Sequence, residues 1–212
     1  GHILVCGFQN LAFQSTDIQW AGEYRTSYEV GLVVDPATGV LNTALSGGQA
    51  EMMGFQACAF QKGTNLFPIP EGVPYDVAAM CEPLAVAMHG VNRANVKAGD
   101  KVVVFGCGPI GLGMLLWLVD RGITDVVAVD LAEERLERAR ALGVQAALNP
   151  AKVDLADELR RLHGEVPSYG RVGVGTDAFI DAAGAPSILT DVIMMAKFHA
   201  RLVITAAYMK PI

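Results

Sequence analysis

The sequence predicts an α/β fold in which helices cover both faces of a doubly wound parallel sheet. Short apolar runs alternate with helix-length segments from residue 101 to residue 205, and a glycine-rich turn follows the first run. This alternation is typical of parallel sheets, because a crossover helix connects each strand to the next. The chain has 212 residues, of which 52% are hydrophobic and 18% are charged, so it contains enough apolar material for a packed core.

The composition argues against several classes of protein. The most apolar stretch, Ile110–Val119, has about half the length that a membrane-spanning helix needs. The net charge is −6 and the basic residues are scattered, which disfavours nucleic acid as a partner. No export signal is evident, and the four cysteines show no paired spacing. We therefore expect a cytoplasmic protein whose partner is neither a membrane nor nucleic acid.

The strongest local pattern is a strand, a glycine turn, a helix and a second strand. Lys101–Phe105 is a β-branched run, as expected for a strand that is buried on both faces. Residues 106–111 (GCGPIG) follow at once, and an apolar helix runs from there to Val119. Asp125–Val129 is the second buried strand and Asp130 follows it. This order is the pattern of a dinucleotide-binding unit.

Each residue of the turn has a chemical reason in such a site. Gly106 permits the tight turn, Gly108 lets a pyrophosphate approach the backbone, and Gly111 lets the helix pack closely. Pro109 is tolerated in the first turn of a helix, where its missing N–H has no partner. Asp130 lies nineteen residues after Gly111, the spacing at which a carboxylate accepts hydrogen bonds from the ribose hydroxyls. A carboxylate repels a 2′-phosphate, so the pattern favours NAD over NADP.

Two other interpretations of this pattern remain open. One is an open α/β sheet with a glycine turn and no ligand. The other is an S-adenosylmethionine-dependent methyltransferase, which also uses a glycine turn and an acid after the second strand. Methyltransferases usually have an acidic residue just before the glycine region, where this chain has Val104 and Phe105.

The alternation continues to the end of the pattern. The expected elements are a helix over Ala132–Leu142, a strand over Val144–Leu148, a helix over Leu155–Leu162, a strand over Asp177–Ile180, a helix reaching about Lys197 and a strand over Arg201–Thr205. Ligands of such sheets bind at the carboxyl ends of the strands. His163 and His199 are expected at helix C-termini, where a cation is favourable.

The segment from Asn65 to Val91 (NLFPIPEGVPYDVAAMCEPLAVAMHGV), followed by VKAGDKVVVFGCGPIGLG, resembles the medium-chain alcohol dehydrogenase superfamily. Within that superfamily it is most similar to the branch of polyol, threonine and butanediol dehydrogenases. The resemblance implies a shortened GroES-like β domain over residues 1–80 and a Rossmann domain over 81–212, incomplete at its C-terminus. It also implies a nicotinamide cofactor and, in the family, a catalytic zinc between the two domains.

The resemblance assigns the cofactor residues. The glycine turn corresponds to the pyrophosphate loop, with Ile110 beside the cofactor. Asp130 corresponds to the ribose carboxylate, and Arg135 to an arginine over the adenine side. Four residues correspond to loops near the nicotinamide: Ala183, Gly184, Thr205 and Ala206.

The substrate side of the resemblance departs from the family. Residues 13–20 (FQSTDIQW) resemble the family segment Cys-x-Thr-Asp-x-His, which places Gln14 at the zinc-binding cysteine and Gln19 at the histidine. Thr16 then corresponds to the hydroxyl that relays the substrate proton, and Asp17 to the carboxylate behind the metal. A Gln carboxamide is a poor substitute for a thiolate at zinc.

Two further positions complete the predicted catalytic set. Tyr28 corresponds to the zinc-binding histidine of the family, and Glu82 to a carboxylate ligand of the polyol branch. Glu82 is equally well explained as an acid in the first turn of a helix. The family's four-cysteine structural zinc lobe has no counterpart in the sequence.

We therefore predict an NAD-dependent oxidoreductase that acts on a small alcohol or carbonyl compound without a normal catalytic zinc, with Glu82 as the only surviving candidate ligand. A nucleotide-binding module without turnover, or a chain from which metal loops and C-terminus are absent, is the alternative. A homo-oligomer is possible for either.

Overall fold

The computed structural model describes residues 3–5, 33–34, 41–42, 66–168 and 170–208, with side chains from residue 69 onward. The chain divides into two compact units, Gly1–Glu82 and Pro83–Ile212. The assignment of a substrate-side role to the first unit and a cofactor role to the second stays a prediction.

The described part of the N-terminal unit is mainly β-structure. Its elements are β1 (Ile3–Val5), β2 (Val33–Val34), β3 (Leu41–Asn42), β4 (Leu66–Pro68) and the short helix α1 (Tyr75–Ala79). Strand β1 pairs with β4 and β2 pairs with β3, and both pairs are antiparallel. Pro74 precedes α1 with an extended backbone, as is usual for a residue at the start of a helix.

The C-terminal unit is built around a five-stranded parallel sheet. Its strands are β5 (Val102–Phe105), β6 (Val126–Val129), β7 (Ala146–Leu148), β10 (Ala178–Asp181) and β11 (Arg201–Ile204), and the antiparallel hairpin of β8 (Glu165–Ser168) and β9 (Arg171–Val174) lies outside it. The order in the sheet is β11-β10-β5-β6-β7, and every neighbouring pair is parallel. The chain therefore reverses direction across the sheet between β5 and β10, and such a switch point is where open α/β sheets bind ligands.

Helices cover both faces of the sheet, because alternate residues of each strand point to opposite sides. The helices are α2 (Cys81–Ala94), α3 (Pro109–Asp120), α4 (Glu133–Ala141), α5 (Leu155–His163) and α6 (Pro186–Met195). Val102 and Val104 pack in one buried cluster with residues of α2, α3 and α4. Val103 and Phe105 pack in the other with residues of α5 and α6. The fold class predicted from the sequence, a doubly wound α/β sheet preceded by β-structure, is therefore confirmed.

The contact between α2 and α3 depends on small residues. A Cβ added at Gly113 would lie 2.9 Å from the Cβ of Ala87, so the two helices approach closely there. Trp117 of α3 donates its indole N–H to the carbonyl of Leu84 at 3.0 Å. Within the part of the chain that the structure describes, no helix has the length and hydropathy to cross a bilayer.

Candidate dinucleotide-binding site

The glycine turn follows β5 directly and lies at the switch point of the sheet. Gly106 has φ of +91°, a conformation that side chains other than glycine rarely adopt. A Cβ at Gly106 would lie 3.0 Å from the backbone nitrogen of Ala183, in the loop after β10. The turn is therefore held between the ends of the two strands where the topology reverses.

The amino end of α3 is open to solvent beside Gly108. Gly108 is the N-cap residue and Pro109 is the first residue of the helix, and no side chain caps the free N–H groups. A Cβ at Gly108 would have no atom within 4 Å, whereas one at Gly111 would lie 1.7 Å from the carbonyl oxygen of Gly106. Gly111 thus serves close packing, and the space at Gly108 is free for a ligand. Uncapped N–H groups and a positive helix end suit an anion such as a diphosphate.

Asp130 lies beside this turn. One oxygen of its carboxylate accepts a hydrogen bond from the backbone N–H of Cys107 at 2.7 Å, and the other accepts from Ala132 at 2.8 Å. Its side chain is 8% exposed, and the guanidinium of Arg135, 54% exposed, lies 3.8 Å away. Each carboxylate oxygen has two acceptor sites, so each keeps one for a ligand hydroxyl. The structure thus brings together the glycine turn and the acid that the sequence separates by nineteen residues.

Cys107 belongs to the buried core cluster around α3. The residue is 1% exposed. Burial, together with the nearby Asp130 carboxylate, raises the pKa of the Cys107 thiol to about 12. The thiolate is the reactive form of cysteine, so this residue contributes its backbone N–H and no nucleophile.

The two loops that the resemblance places at the nicotinamide end meet at Asp181, which sequence reasoning gave no role. Asp181 ends β10 and is completely buried. It accepts hydrogen bonds from the backbone N–H groups of Ala183 and Gly184 at 2.9 and 3.0 Å. Its carbonyl oxygen also accepts hydrogen bonds from the backbone N–H groups of Thr205 and Ala206, at 2.9 and 3.2 Å.

Tyr208 is the second residue that sequence reasoning missed. Its phenol donates a hydrogen bond of 2.5 Å to the Asp181 carboxylate. The signal in the sequence was an acid at the end of the otherwise apolar run AFID, since a buried charge requires partners. The partner lies 27 residues away and has no local signature.

The predicted catalytic residues are mostly outside the described residues. Thr16, Asp17 and Tyr28 fall there, as do Gln14 and Gln19. Glu82 lies in the first turn of α2 and is partly exposed. Within the described residues, no group of three or more His, Cys, Asp or Glu side chains is arranged to hold a metal ion.

The structure corrects the expectation for two histidines that lie at the other end of the sheet from the glycine turn. His163 ends α5 but is 1% exposed, and its Nδ1 lies 2.8 Å from the hydroxyl of Thr176. Burial, together with the charge of Lys101, lowers the pKa of His163 to about 4. His163 is therefore neutral at physiological pH and is no helix-end cation. His199 is also misplaced by the prediction, because it lies beyond the end of α6 with φ of +60°.

Comparison with known proteins gives the same fold and names its relatives. A family model described as zinc-binding dehydrogenase matches residues 109–212. The (R,R)-butanediol dehydrogenase of Bacillus subtilis strain 168 is 32% identical over 208 residues, which are 92% of this chain and 58% of that protein. The chain thus spans little more than half the length of this relative.

Two solved structures resemble about two thirds of the chain. An alcohol dehydrogenase from E. coli CFT073, described as short-chain and complexed with NADH, is 30% identical with a TM-score of 0.60 over 69% of this chain and 41% of that chain. A chain from Sinorhizobium meliloti 1021 bound to NADP is 29% identical, with a TM-score of 0.57 over 68% of this chain and 40% of that chain. With the parallel sheet and its glycine turn, these matches show that the chain belongs to the medium-chain alcohol dehydrogenase superfamily.

Proposed function

We propose that this chain binds NAD(H) and transfers a hydride between the nicotinamide and a small alcohol or carbonyl compound. The observation that supports the proposal best is the open glycine turn at the switch point, with Asp130 beside it. A glycine turn that binds no ligand would need glycine at positions 106 and 111 for its own packing, but it would not need the free space at Gly108.

The residues of the turn divide the binding of the cofactor between them. The N–H groups at the start of α3 would hold the diphosphate, because no side chain caps them. Asp130 would accept hydrogen bonds from the adenosine ribose and disfavour a 2′-phosphate through charge repulsion. Since a similar chain is bound to NADP, the preference for NAD is part of the proposal.

The nicotinamide half would lie toward the loops of Ala183–Gly184 and Thr205–Ala206. The Ala183–Gly184 loop lies against the glycine turn at Gly106, and the two loops lie against each other at Gly184. When bound, the nicotinamide supplies the acceptor or donor of the hydride. The loops themselves orient it and exclude water.

Zinc does not fit the residues that this chain aligns with the family's ligands. Those residues are Gln14, Tyr28 and Glu82, and only the last is an ordinary zinc ligand. We therefore propose that hydrogen-bond donors replace the metal, with the Tyr28 hydroxyl as the general acid or donor to the substrate oxygen and Thr16 as the proton relay. Asp17 would hold this loop in place. A neutral hydroxyl stabilises a developing oxyanion less than a metal does, which favours reduction of an activated carbonyl over oxidation of an unactivated alcohol.

Steady-state assays with NADH and NADPH test the proposal. A panel of 2,3-diketones, acyloins and ketoses should be reduced with NADH, and the activity should be unchanged by a zinc chelator. The variant Tyr28→Phe should lower kcat by about 10²-fold or more, the usual contribution of one acid. Tyr24, the preceding tyrosine in the sequence, corresponds to no ligand of the family, so Tyr24→Phe serves as the control. NADH binding without turnover on any substrate would favour the alternative of a nucleotide-binding module. One zinc per chain in an active preparation would refute the metal-free part of the proposal.

A further inference from the structure

The carboxylate of Asp181 is buried and depends on three hydrogen bonds. The residue is 0% exposed. Its Oδ1 accepts from the N–H groups of Ala183 and Gly184, and its Oδ2 accepts from the phenol of Tyr208 at 2.5 Å. A buried carboxylate is stable only when donors replace the water that it loses. The Tyr208 phenol is thus the donor that holds the second oxygen.

These hydrogen bonds tie together two loops that are separate in sequence. The carbonyl oxygen of Asp181 accepts from the hydroxyl of Thr205 at 2.8 Å. Gly184, with φ of +72°, lies so close to the second loop that an added Cβ would be 3.0 Å from the carbonyl oxygen of Ala207. The loop after β10 and the loop after β11 therefore form one connected surface around Asp181.

The same surface reaches the glycine turn. Ala182 donates its backbone N–H to the carbonyl of Phe105 at 2.8 Å. Gly106 lies so close to this loop that an added Cβ would be 3.0 Å from the backbone nitrogen of Ala183. Movement of the 182–184 loop would therefore change the surface on the nicotinamide side of the proposed diphosphate position. Asp130 follows β6, which lies on the other side of β5, and would not be affected directly.

We propose that the hydrogen bond between Tyr208 and Asp181 is a clasp that fixes the 182–184 and 205–207 loops in the position that receives the nicotinamide half of the cofactor. The proposal rests on the proposed function, and it makes Tyr208 a positioning residue for hydride transfer. Burial, followed by the hydrogen bond to Asp181, raises the pKa of Tyr208 to about 12. The phenol therefore remains protonated, and remains a donor, over the pH range in which the protein is assayed.

Comparing two ligands separates this role from a general loss of stability. NADH contains the nicotinamide ring, and ADP-ribose is the same molecule without that ring. In Tyr208→Phe, calorimetry should show NADH affinity reduced about fivefold or more, the fold-change that corresponds to about 1 kcal/mol for one buried hydrogen bond. ADP-ribose affinity should stay within about twofold of wild type, because its diphosphate and adenosine would be held at Gly108 and Asp130 and it lacks the ring that the two loops receive.

Two further variants control the experiment. Thr176→Val removes one buried hydrogen bond, that to His163, at the opposite edge of the sheet, and should leave the ratio of the two affinities unchanged. Asp181→Asn keeps an oxygen for the two loop amides and gains an amide that can donate to the Tyr208 oxygen, so it should retain a ratio close to that of wild type.

A readout without nucleotide tests the clasp itself. Amide hydrogen exchange at Ala183 and Gly184, measured by NMR, should be faster in Tyr208→Phe than in wild type or Thr176→Val. Equal reduction of NADH and ADP-ribose affinity, or no change in either, would overturn the clasp alone. Failure of the wild-type chain to bind NADH would overturn the proposed function and the role of the clasp with it.

Discussion

Lowering the pH from about 8 to about 5 is expected to destabilise the C-terminal unit through one buried histidine. His163 is 1% exposed and its Nδ1 is paired with the Thr176 hydroxyl, while its Nε2 has no hydrogen-bond partner among the described residues. The charged groups near it are the cations of Lys101 and Lys197 and the carboxylates of Asp125 and Asp177. Burial is the largest cause of its lowered pKa, since it disfavours the charged imidazolium.

The sign and magnitude of this loss of stability follow from the pKa of His163 in the folded protein and in the unfolded chain. The folded protein holds His163 at a pKa of about 4, and the ordinary value is 6.5. Between these values the unfolded chain binds a proton that the folded protein does not, so stability is complete above pH 6.5 and decreases as the pH falls toward 4. At a pH of about 5 the loss amounts to about 2 kcal/mol, and its limit at lower pH is about 3 kcal/mol.

Urea unfolding followed by far-ultraviolet circular dichroism measures this loss. His163→Asn can keep a polar partner for Thr176 but does not titrate, so the variant should lose about 2 kcal/mol less than wild type over the same pH range. His89→Asn, at an exposed position of α2, is the control and should behave like wild type. The same pH dependence in wild type and His163→Asn would refute the account of this site.

Three further predictions concern the cofactor site. Gly111→Ala should destabilise the chain by about 3 kcal/mol or more in urea unfolding, because its Cβ would lie 1.7 Å from the Gly106 carbonyl oxygen; a loss below about 1 kcal/mol would mean that the turn adapts freely. Asp130→Asn should reduce the preference for NADH over NADPH by about tenfold in calorimetry, because the charge that repels the 2′-phosphate is removed; an unchanged preference would exclude Asp130 as its cause. Maleimide should label exposed Cys81 in the native chain and leave buried Cys107 unlabelled until urea is added; labelling of native Cys107, identified by peptide mass spectrometry, would contradict its burial.

The sequence predicts the cofactor side well because its signals are local. The glycine spacing, Pro109 at the start of the helix and Asp130 after the second strand all lie within about thirty consecutive residues of one βαβ unit. To interpret these three features it is enough to know that the neighbouring strands are buried, and the apolar runs in the sequence indicate this burial directly. The strands and helices around them are confirmed for the same reason.

The features that were missed depend on contacts between distant residues. The hairpin of β8 and β9 lies in the segment EVPSYGRVGV, where proline and glycine interrupt any alternation of apolar and polar residues. His163 ends an amphipathic helix, and its burial follows from Thr176 packing against it. Tyr208 follows the last strand of the sheet and meets Asp181 only because β10 and β11 are neighbours.

Prediction of the substrate-side residues from the sequence is limited for a different reason. Thr16, Asp17 and Tyr28 were assigned by resemblance to a family segment, and they lie outside the described residues. Their roles depend on how an N-terminal loop is placed near a bound cofactor, which no local pattern specifies. Glu82 alone is described, and its position in the first turn of α2 suits either of the interpretations that the sequence left open.

The measurement that tests the central claim most directly is calorimetric titration of NADH into the wild-type chain and into Gly108→Ala. An added Cβ at Gly108 meets no atom within 4 Å, so the variant should unfold in urea within about 1 kcal/mol of wild type. The same methyl group fills the space assigned to the diphosphate, so its affinity for NADH should fall about tenfold or more. Equal affinity in the two proteins, or no binding of NADH by wild type, would contradict the assignment of this turn as a dinucleotide site.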